Sequence, residues 1–209
     1  MDWNQQMNLT AIRDPKQIRI KHFLDSFTCT FIARDLNNSS VIDIGTGAGF
    51  PGIPLKILFP KMKLILVESV RKKVDFCRNV VDILRLDNVE VLNERAERIG
   101  QDKKHRQKYD WVVARAVALM PILVEYLLPL TRVGGKVLAM KGEKALAETH
   151  QAEFAMQILG GHLHKITPVT LPGVVEQRYL IEIDKIAATP KEFPRRVGLP
   201  GKQPLQNRS

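Results

Sequence analysis

The stretch VIDIGTGAGFPGIPL, Val41 to Leu55, constrains the fold more than any other part of the sequence. Val41–Ile44 reads as a short buried strand. Gly45, Gly47, Gly49 and Gly52 follow at once, and a helix must begin there, because Pro51 and Pro54 are tolerated only in a first turn. Glycine permits left-handed backbone angles and close approach of the chain to a ligand. The helix N-terminus adds free N–H groups and a positive dipole end. A strand, a glycine loop and a helix in this order make a site for a nucleotide-like ligand.

The rest of the chain supplies a sheet to carry that loop. Residues 1–40 read as helical, with Phe23, Phe27 and Phe31 at a four-residue spacing on one face. After the helix that runs to about Phe59, strands are expected at Leu64–Val67, Val89–Leu92, Tyr109–Ala114 and Lys136–Met140. Helices are expected at Arg71–Leu86, Leu119–Leu130 and Glu143–Leu159, with a charged loop or frayed helix end at Gln101–Lys108 and a turn at Gly134-Gly135. Then His162–Leu171 and Gln177–Asp184 follow one another with no helix between them, as an antiparallel pair does. Alternating strands and helices demand a parallel sheet covered on both faces, with ligands beyond the C-terminal strand ends. The expected fold is therefore α/β: a Rossmann-like, mostly parallel seven-stranded sheet with a C-terminal antiparallel hairpin and N-terminal helices. Its expected parts are a helical cap at residues 1–40, a main domain at 41–186 and a basic, proline-containing tail at 187–209, loosely packed.

Two ligands compete for the glycine loop. Gly47-x-Gly49-x-x-Gly52 matches the dinucleotide fingerprint. The longer string Asp43-x-Gly45-x-Gly47-x-Gly49 fits the first motif of S-adenosylmethionine-dependent methyltransferases better. That cofactor carries an ammonium and a sulfonium, which an acid such as Asp43 suits; beside a pyrophosphate the acid would repel. Glu68, at the end of the second strand, can accept hydrogen bonds from both ribose hydroxyls of either cofactor. No Gly-Lys-Ser or Gly-Lys-Thr follows the glycines, which disfavours a phosphate-hydrolysing enzyme.

Composition bounds the partners. The 209 residues carry a formal net charge of +10, which suits a polyanion such as nucleic acid. The two cysteines, Cys29 and Cys77, fall within helix patterns and form no Cys-x-x-Cys pair, so a reducing, cytoplasmic setting is expected. His162 and His164 alternate in a strand with no third ligand near them, and no metal site is expected. No apolar run is long enough to span a membrane, and MDWNQQMNLT lacks the basic and apolar regions of a secretory signal.

The sequence resembles the glucose-inhibited division protein B family, bacterial methyltransferases of guanine N7 in small-subunit ribosomal RNA. The resemblance spans nearly the whole chain and rests on WNQQMNLTAI, KHFLDS, DIGTGAGFPGIPL, VESVRKK, RAERI, VVARAVA, GGKVLAMKG and FPRRVGLPGKQPL, in family order. It implies S-adenosylmethionine as cofactor, bound at Gly45, Phe50, Ala96, Glu97 and Arg115 beside the motif residues Asp43, Gly47, Gly49 and Glu68. It also implies 16S ribosomal RNA, or a small ribosomal particle, as partner. Family members carry a further helical segment ahead of the tryptophan, whereas this sequence begins two residues before Trp3; the segment is expected to cap the N-terminal helices and to bear on stability more than chemistry.

Guanine N7 has a lone pair and no proton to lose, so no general base is expected among the residues, and catalysis is expected to rest on alignment. The fourth strand ends in Ala114-Arg115-Ala116-Val117, not in the Asn/Asp-Pro-Pro-aromatic motif of enzymes that methylate exocyclic amines. Candidate RNA contacts are Lys21, His22, Arg115, Lys141, Arg195 and Arg196, and a monomer is expected. Three alternatives stay open on the residues alone: a methyltransferase of small molecules, a nicotinamide-dependent oxidoreductase and a noncatalytic RNA-binding module.

Overall fold

The computed structural model describes residue 10 and residues 12–206; most of the WNQQMNLTAI stretch lies outside them. Seven strands form one sheet: β1 (Ser40–Ile44), β2 (Lys63–Glu68), β3 (Val89–Asn93), β4 (Tyr109–Arg115), β5 (Thr131–Lys141), β6 (Gly161–Val169) and β7 (Arg178–Lys185). Their order is β3-β2-β1-β4-β5-β7-β6. The first five are parallel, and β7 inserts antiparallel between β5 and β6. The expected hairpin is present, with its second strand inside the sheet and its first at the edge.

A helical segment opens the described chain: α1 (Pro15–Ile18), a π-helical turn (Arg19–Leu24), α2 (Asp25–Phe27) and a 3-10 turn (Thr28–Phe31). Asp14 caps it, accepting from the Gln17 N–H at 2.9 Å. The later helices are α3 (Gly52–Leu58), α4 (Arg71–Ile83), α5 (Ala96–Gln101), α6 (Met120–Leu127), α7 (Ala145–Gln151), α8 (Glu153–Ile158) and α9 (Leu199–Lys202).

Both sheet faces are covered, and alternate strand residues divide between two cores. Ile42, Val112, Ala114, Val137 and Ala139 face α6 and α8, meeting Leu123, Leu127 and Met156. Val41, Val113, Leu138 and Met140 face the other way, against Cys29, Leu36, Leu55, Val74 and Cys77. This is why β1, β4 and β5 read as unbroken apolar runs: they are buried on both sides.

Four details depart from the sequence reading. The phenylalanine stripe is not the buried face, since Phe23 and Phe31 are exposed while Asp25, Ser26, Thr28 and Cys29 are buried; the π turn inserts an extra residue and rotates the stripe outward. Gly134-Gly135 lies inside β5, in an irregularity where Tyr109 pairs with Thr131 but Trp111 already pairs with Lys136. The helix expected over Glu143–Leu159 is two, α7 and α8, divided at Ala152. The tail is packed: the Arg106 guanidinium donates to the carbonyls of Thr189, Pro190 and Phe193, and Pro194 and Pro200 are buried. No helix among the described residues is long and apolar enough to cross a membrane.

Candidate active site

The order β3-β2-β1-β4 puts the reversal of strand sequence between β1 and β4, where such sheets open a crevice. The glycine loop sits there. Gly45, Gly47 and Gly49 have φ of 67°, 61° and 88°, so each adopts the left-handed backbone that glycine takes without cost. The Gly45 and Thr46 N–H groups donate to the Val67 carbonyl, which ties the loop to β2.

Two acids organise this loop. Glu68 Oε2 accepts from the Gly47 N–H at 3.1 Å, and its Oε1 accepts from the Val70 N–H at 2.8 Å. Its carboxylate still lines the cleft, where it can take further donors. Asp43 lies beneath the loop and is fully buried, not on the cleft wall. Its Oδ2 accepts from the Thr46 hydroxyl at 2.6 Å and the Gly52 N–H at 2.9 Å, which fixes the loop to the start of α3. Its Oδ1 is buried without a hydrogen bond. Asp43 thus acts as a clamp, and any effect on a cationic ligand is transmitted through the field, not by contact.

That position has a measurable consequence. Burial pushes the Asp43 pKa up to about 6, against the opposing hydrogen bonds from Thr46 and Gly52. The folded carboxyl therefore holds its proton to higher pH than the unfolded one. Its contribution to stability is complete below about pH 4 and is lost as pH rises through about 6. Asp43→Asn keeps an acceptor for Thr46 and Gly52 but carries no charge. Relative to the parent it is expected to gain roughly 2–3 kcal/mol in unfolding free energy between pH 4 and pH 7. Denaturant titrations at the two pH values check this; an equal difference at both would mean that Asp43 ionises freely.

The cleft has a volume of about 400 Å³ and runs from Gly45 and Glu68 past Ala96 to Ile122 and Tyr126, within the size range of small-molecule sites. Val117 closes one side so tightly that a Cβ on Gly45 would come within 2.7 Å of it. Acid at the β2 end, apolar surface from Ala96, Val117 and Ile122, and glycine at the floor match a nucleoside bearing a short polar arm. Ala96 and Glu97 both line the cleft, but the Glu97 carboxylate turns to the tail and accepts from the Gly198 N–H at 2.9 Å. Gly201 of the tail completes the wall.

Phe50 and Arg115 do not line this cleft; they meet each other against the N-terminal helical segment. The Phe50 ring stacks on His22 with centroids 5.1 Å apart, meets Phe23 edge-on at 5.0 Å, and carries the Arg115 guanidinium over its face at 5.1 Å. Arg115 Nη1 also donates to the carbonyls of Lys21 and His22 and to Asp25 Oδ2, the last at 3.2 Å. Burial, followed by the Arg115 charge, holds the His22 pKa below its ordinary value. Burial raises the Asp25 carboxyl, while Arg115 and Arg178 pull it back down.

The remaining candidate RNA contacts are mostly engaged within the protein. Lys21 pairs with Glu176 at 3.2 Å, and Lys141 pairs with the Glu148 carboxylate at 2.6 Å and donates to the Ala118 carbonyl. Arg195 pairs with the buried Glu125 at 2.6 Å. Arg196 alone of the set is exposed. Sequence reasoning missed Asp25, Glu125, Tyr126 and Arg178, for which no local motif signals; Asp25 stood inside KHFLDS without a role.

A doubly covered sheet in this strand order, an antiparallel β7, a glycine loop and a strand-end acid define the Rossmann-like S-adenosylmethionine-dependent methyltransferases. Solved structures share this fold: an S-adenosylmethionine-dependent methyltransferase from Aquifex aeolicus aligns with a TM-score of 0.61 at 16% identity, over 84% of this chain and 96% of that one. TYW2 from M. jannaschii, in complex with AdoMet, aligns with a TM-score of 0.61 at 18% identity, over 79% and 76%. Residues 1–178 match the sequence model of the GidB family, described as rRNA small subunit methyltransferase G, and the chain belongs to that family. The protein of that name from Roseiflexus sp. (strain RS-1) is 50% identical over 97% of this chain and 86% of its own length; the one from Alkaliphilus metalliredigens is 43% identical over 99% and 86%.

Proposed function

We propose that the protein transfers a methyl group from S-adenosylmethionine to N7 of a guanine in 16S ribosomal RNA. The observation that carries this reading is family membership over most of the chain, joined to a cleft whose residues suit that cofactor. Glu68 supplies a carboxylate for the ribose hydroxyls, Ala96, Val117 and Ile122 supply apolar surface for the adenine, and the glycine loop allows close approach. Membership of a methyltransferase family sets the oxidoreductase alternative aside.

When bound, the cofactor supplies a methyl group activated by its sulfonium. The chain's own task is positioning. N7 holds its lone pair in the base plane and has no proton, so no side chain must act as a base. His22 fits this, because its ring is stacked on Phe50 and bonded to the Thr10 hydroxyl at 2.8 Å. Phe50, clasped by His22, Phe23 and Arg115, holds the glycine loop against the N-terminal helices, so cofactor and acceptor sites share one rigid frame. The chain acts as a monomer, in the cytoplasm, on an assembled or partly assembled small-subunit particle, and its +10 charge favours that polyanion over a free nucleotide.

The test is methyl transfer from labelled S-adenosylmethionine to small-subunit RNA or particles lacking the modification, followed by digestion and identification of the labelled nucleoside. Labelled 7-methylguanosine is the expected product. Label in any other nucleoside, or in metabolites alone, would overturn the assignment.

A further inference from the structure

A second cavity of about 80 Å³ adjoins the cofactor cleft, and the two meet at Ala116. Four charged side chains face it: Asp25, Arg115, Lys141 and Arg178. Lys141 is tied to Glu148, and Arg115 to the Lys21 and His22 carbonyls, to Asp25 and to the Phe50 face. Capacity remains on the other two. Among the described residues Asp25 Oδ1 accepts no hydrogen bond, its Oδ2 taking the Arg115 donor, and Asp25 is 4% exposed. The Arg178 Nε is buried with no acceptor. A carboxylate and a guanidinium, each with unused hydrogen-bonding capacity, therefore belong to residues that line the same small space.

A buried carboxylate here cannot serve the RNA backbone, which it would repel. It suits a group that donates hydrogen bonds, and the bases of the RNA offer such groups on their Watson–Crick edges. We infer that this cavity receives the Watson–Crick edge of the guanine, with Asp25 accepting from N1–H and the N2 amine and Arg178 donating to O6. The inference rests on the methyl-transfer function proposed above. Guanine presents acceptor, donor, donor along that edge. Adenine presents a donor at N6 and an acceptor at N1, and cytosine a donor followed by two acceptors, so both oppose the cavity. Uracil matches at O4 and N3–H but has no N7. N7 belongs to the adjoining Hoogsteen edge, next to O6, so a base held by its Watson–Crick edge leaves its nucleophile uncovered at the cavity mouth, beside the shared wall at Ala116. The target must be unstacked from its neighbours to enter, as single-stranded bases in RNA can be.

The test uses the full chain and small-subunit RNA carrying either guanine or inosine at the methylated position; inosine lacks only the N2 amine. In the parent, inosine is expected to lower kcat/KM about tenfold, the effect of one hydrogen bond to a charged group. Asp25→Asn, whose single amide oxygen is a weaker, uncharged acceptor, is expected to lower kcat/KM for guanine about 100-fold and to shrink the penalty for inosine, with cofactor affinity unchanged. A parent indifferent to inosine, or an equal penalty in parent and variant, would overturn the inference and assign Asp25 to holding Arg115. Absence of 7-methylguanosine from the parent reaction is a separate outcome, which overturns the function itself. Should Asp25→Asn lose cofactor binding, Arg178→Met carries the same test with 2-aminopurine, which lacks O6 and also the N1 proton, so that only the O6 share of its penalty depends on Arg178. The 2-aminopurine penalty is expected to be smaller in that variant than in the parent, while the inosine penalty persists; equal 2-aminopurine penalties would overturn the inference.

Discussion

Gly47→Val lowers the affinity for S-adenosylmethionine by at least about 100-fold. The cause is backbone, not crowding, because a Cβ at position 47 would meet no protein atom within 4 Å. Gly47 has a φ of 61°, which a β-branched residue adopts only under strain of about 1–2 kcal/mol or more. Relief requires the loop to rotate, and its N–H then leaves Glu68 Oε2. That hydrogen bond to a carboxylate is worth about 1.5–3 kcal/mol, and the freed carboxylate no longer holds its place on the cleft wall. The cofactor then forfeits the charge-assisted hydrogen bonds that Glu68 would give it, at about 1.5–3 kcal/mol each, hence the expected factor. Gly47→Asn is the control: asparagine visits left-handed angles readily, so its affinity is expected within about tenfold of the parent. Calorimetric titration of both variants decides the matter. Equal affinities for the valine variant and the parent would show that the cofactor does not depend on this loop.

The contrast between those two variants reflects what a sequence displays. The glycine loop was legible because its physics is local: apolar run, glycines and early prolines follow one another directly. The sheet was legible for a related reason, since buried parallel strands are continuous apolar runs and the last two strands had no helix between them. The N-terminal helices misled because a π turn breaks the 3.6-residue period on which the phenylalanine stripe was read. Arg115 donates to the Lys21 and His22 carbonyls within that same turn. The partners of the charged residues were not legible at all. Asp25 and Arg115 are 90 positions apart, and Glu125 and Arg195 are 70 apart. Nothing in their neighbouring residues encodes the pairing, which the sheet order creates. Lys21, Lys141 and Arg195 looked like free cations for the same reason, and the acids that hold them became visible only with the fold.

Arg195 and Arg196 adjoin in sequence but are expected to fail in opposite ways. Arg195 grips Glu125 through Nε at 2.9 Å and Nη2 at 2.6 Å, its own backbone N–H adds a third bond at 2.8 Å, and Glu125 is fully buried. Arg195→Ala strands that carboxylate in the interior, which costs about 3 kcal/mol, or a fall in Tm of roughly 6–12 °C for a chain of this size. Cofactor affinity should weaken with it, because the same tail bonds Glu97 through Gly198 and closes the cleft at Gly201. Adding Glu125→Gln should return most of the lost stability, since no buried charge then remains unpaired. Arg196→Ala removes an exposed side chain and should leave Tm within about 1 °C. Its effect belongs to RNA: binding weakens a few-fold, and the slope of log affinity against log salt flattens by about 0.7, the loss of one phosphate contact. Thermal melts and a salt series on the two single variants separate the roles. If Arg195→Ala left Tm unchanged and flattened the salt slope, the Glu125 pair would be dispensable and Arg195 would belong to the RNA surface after all.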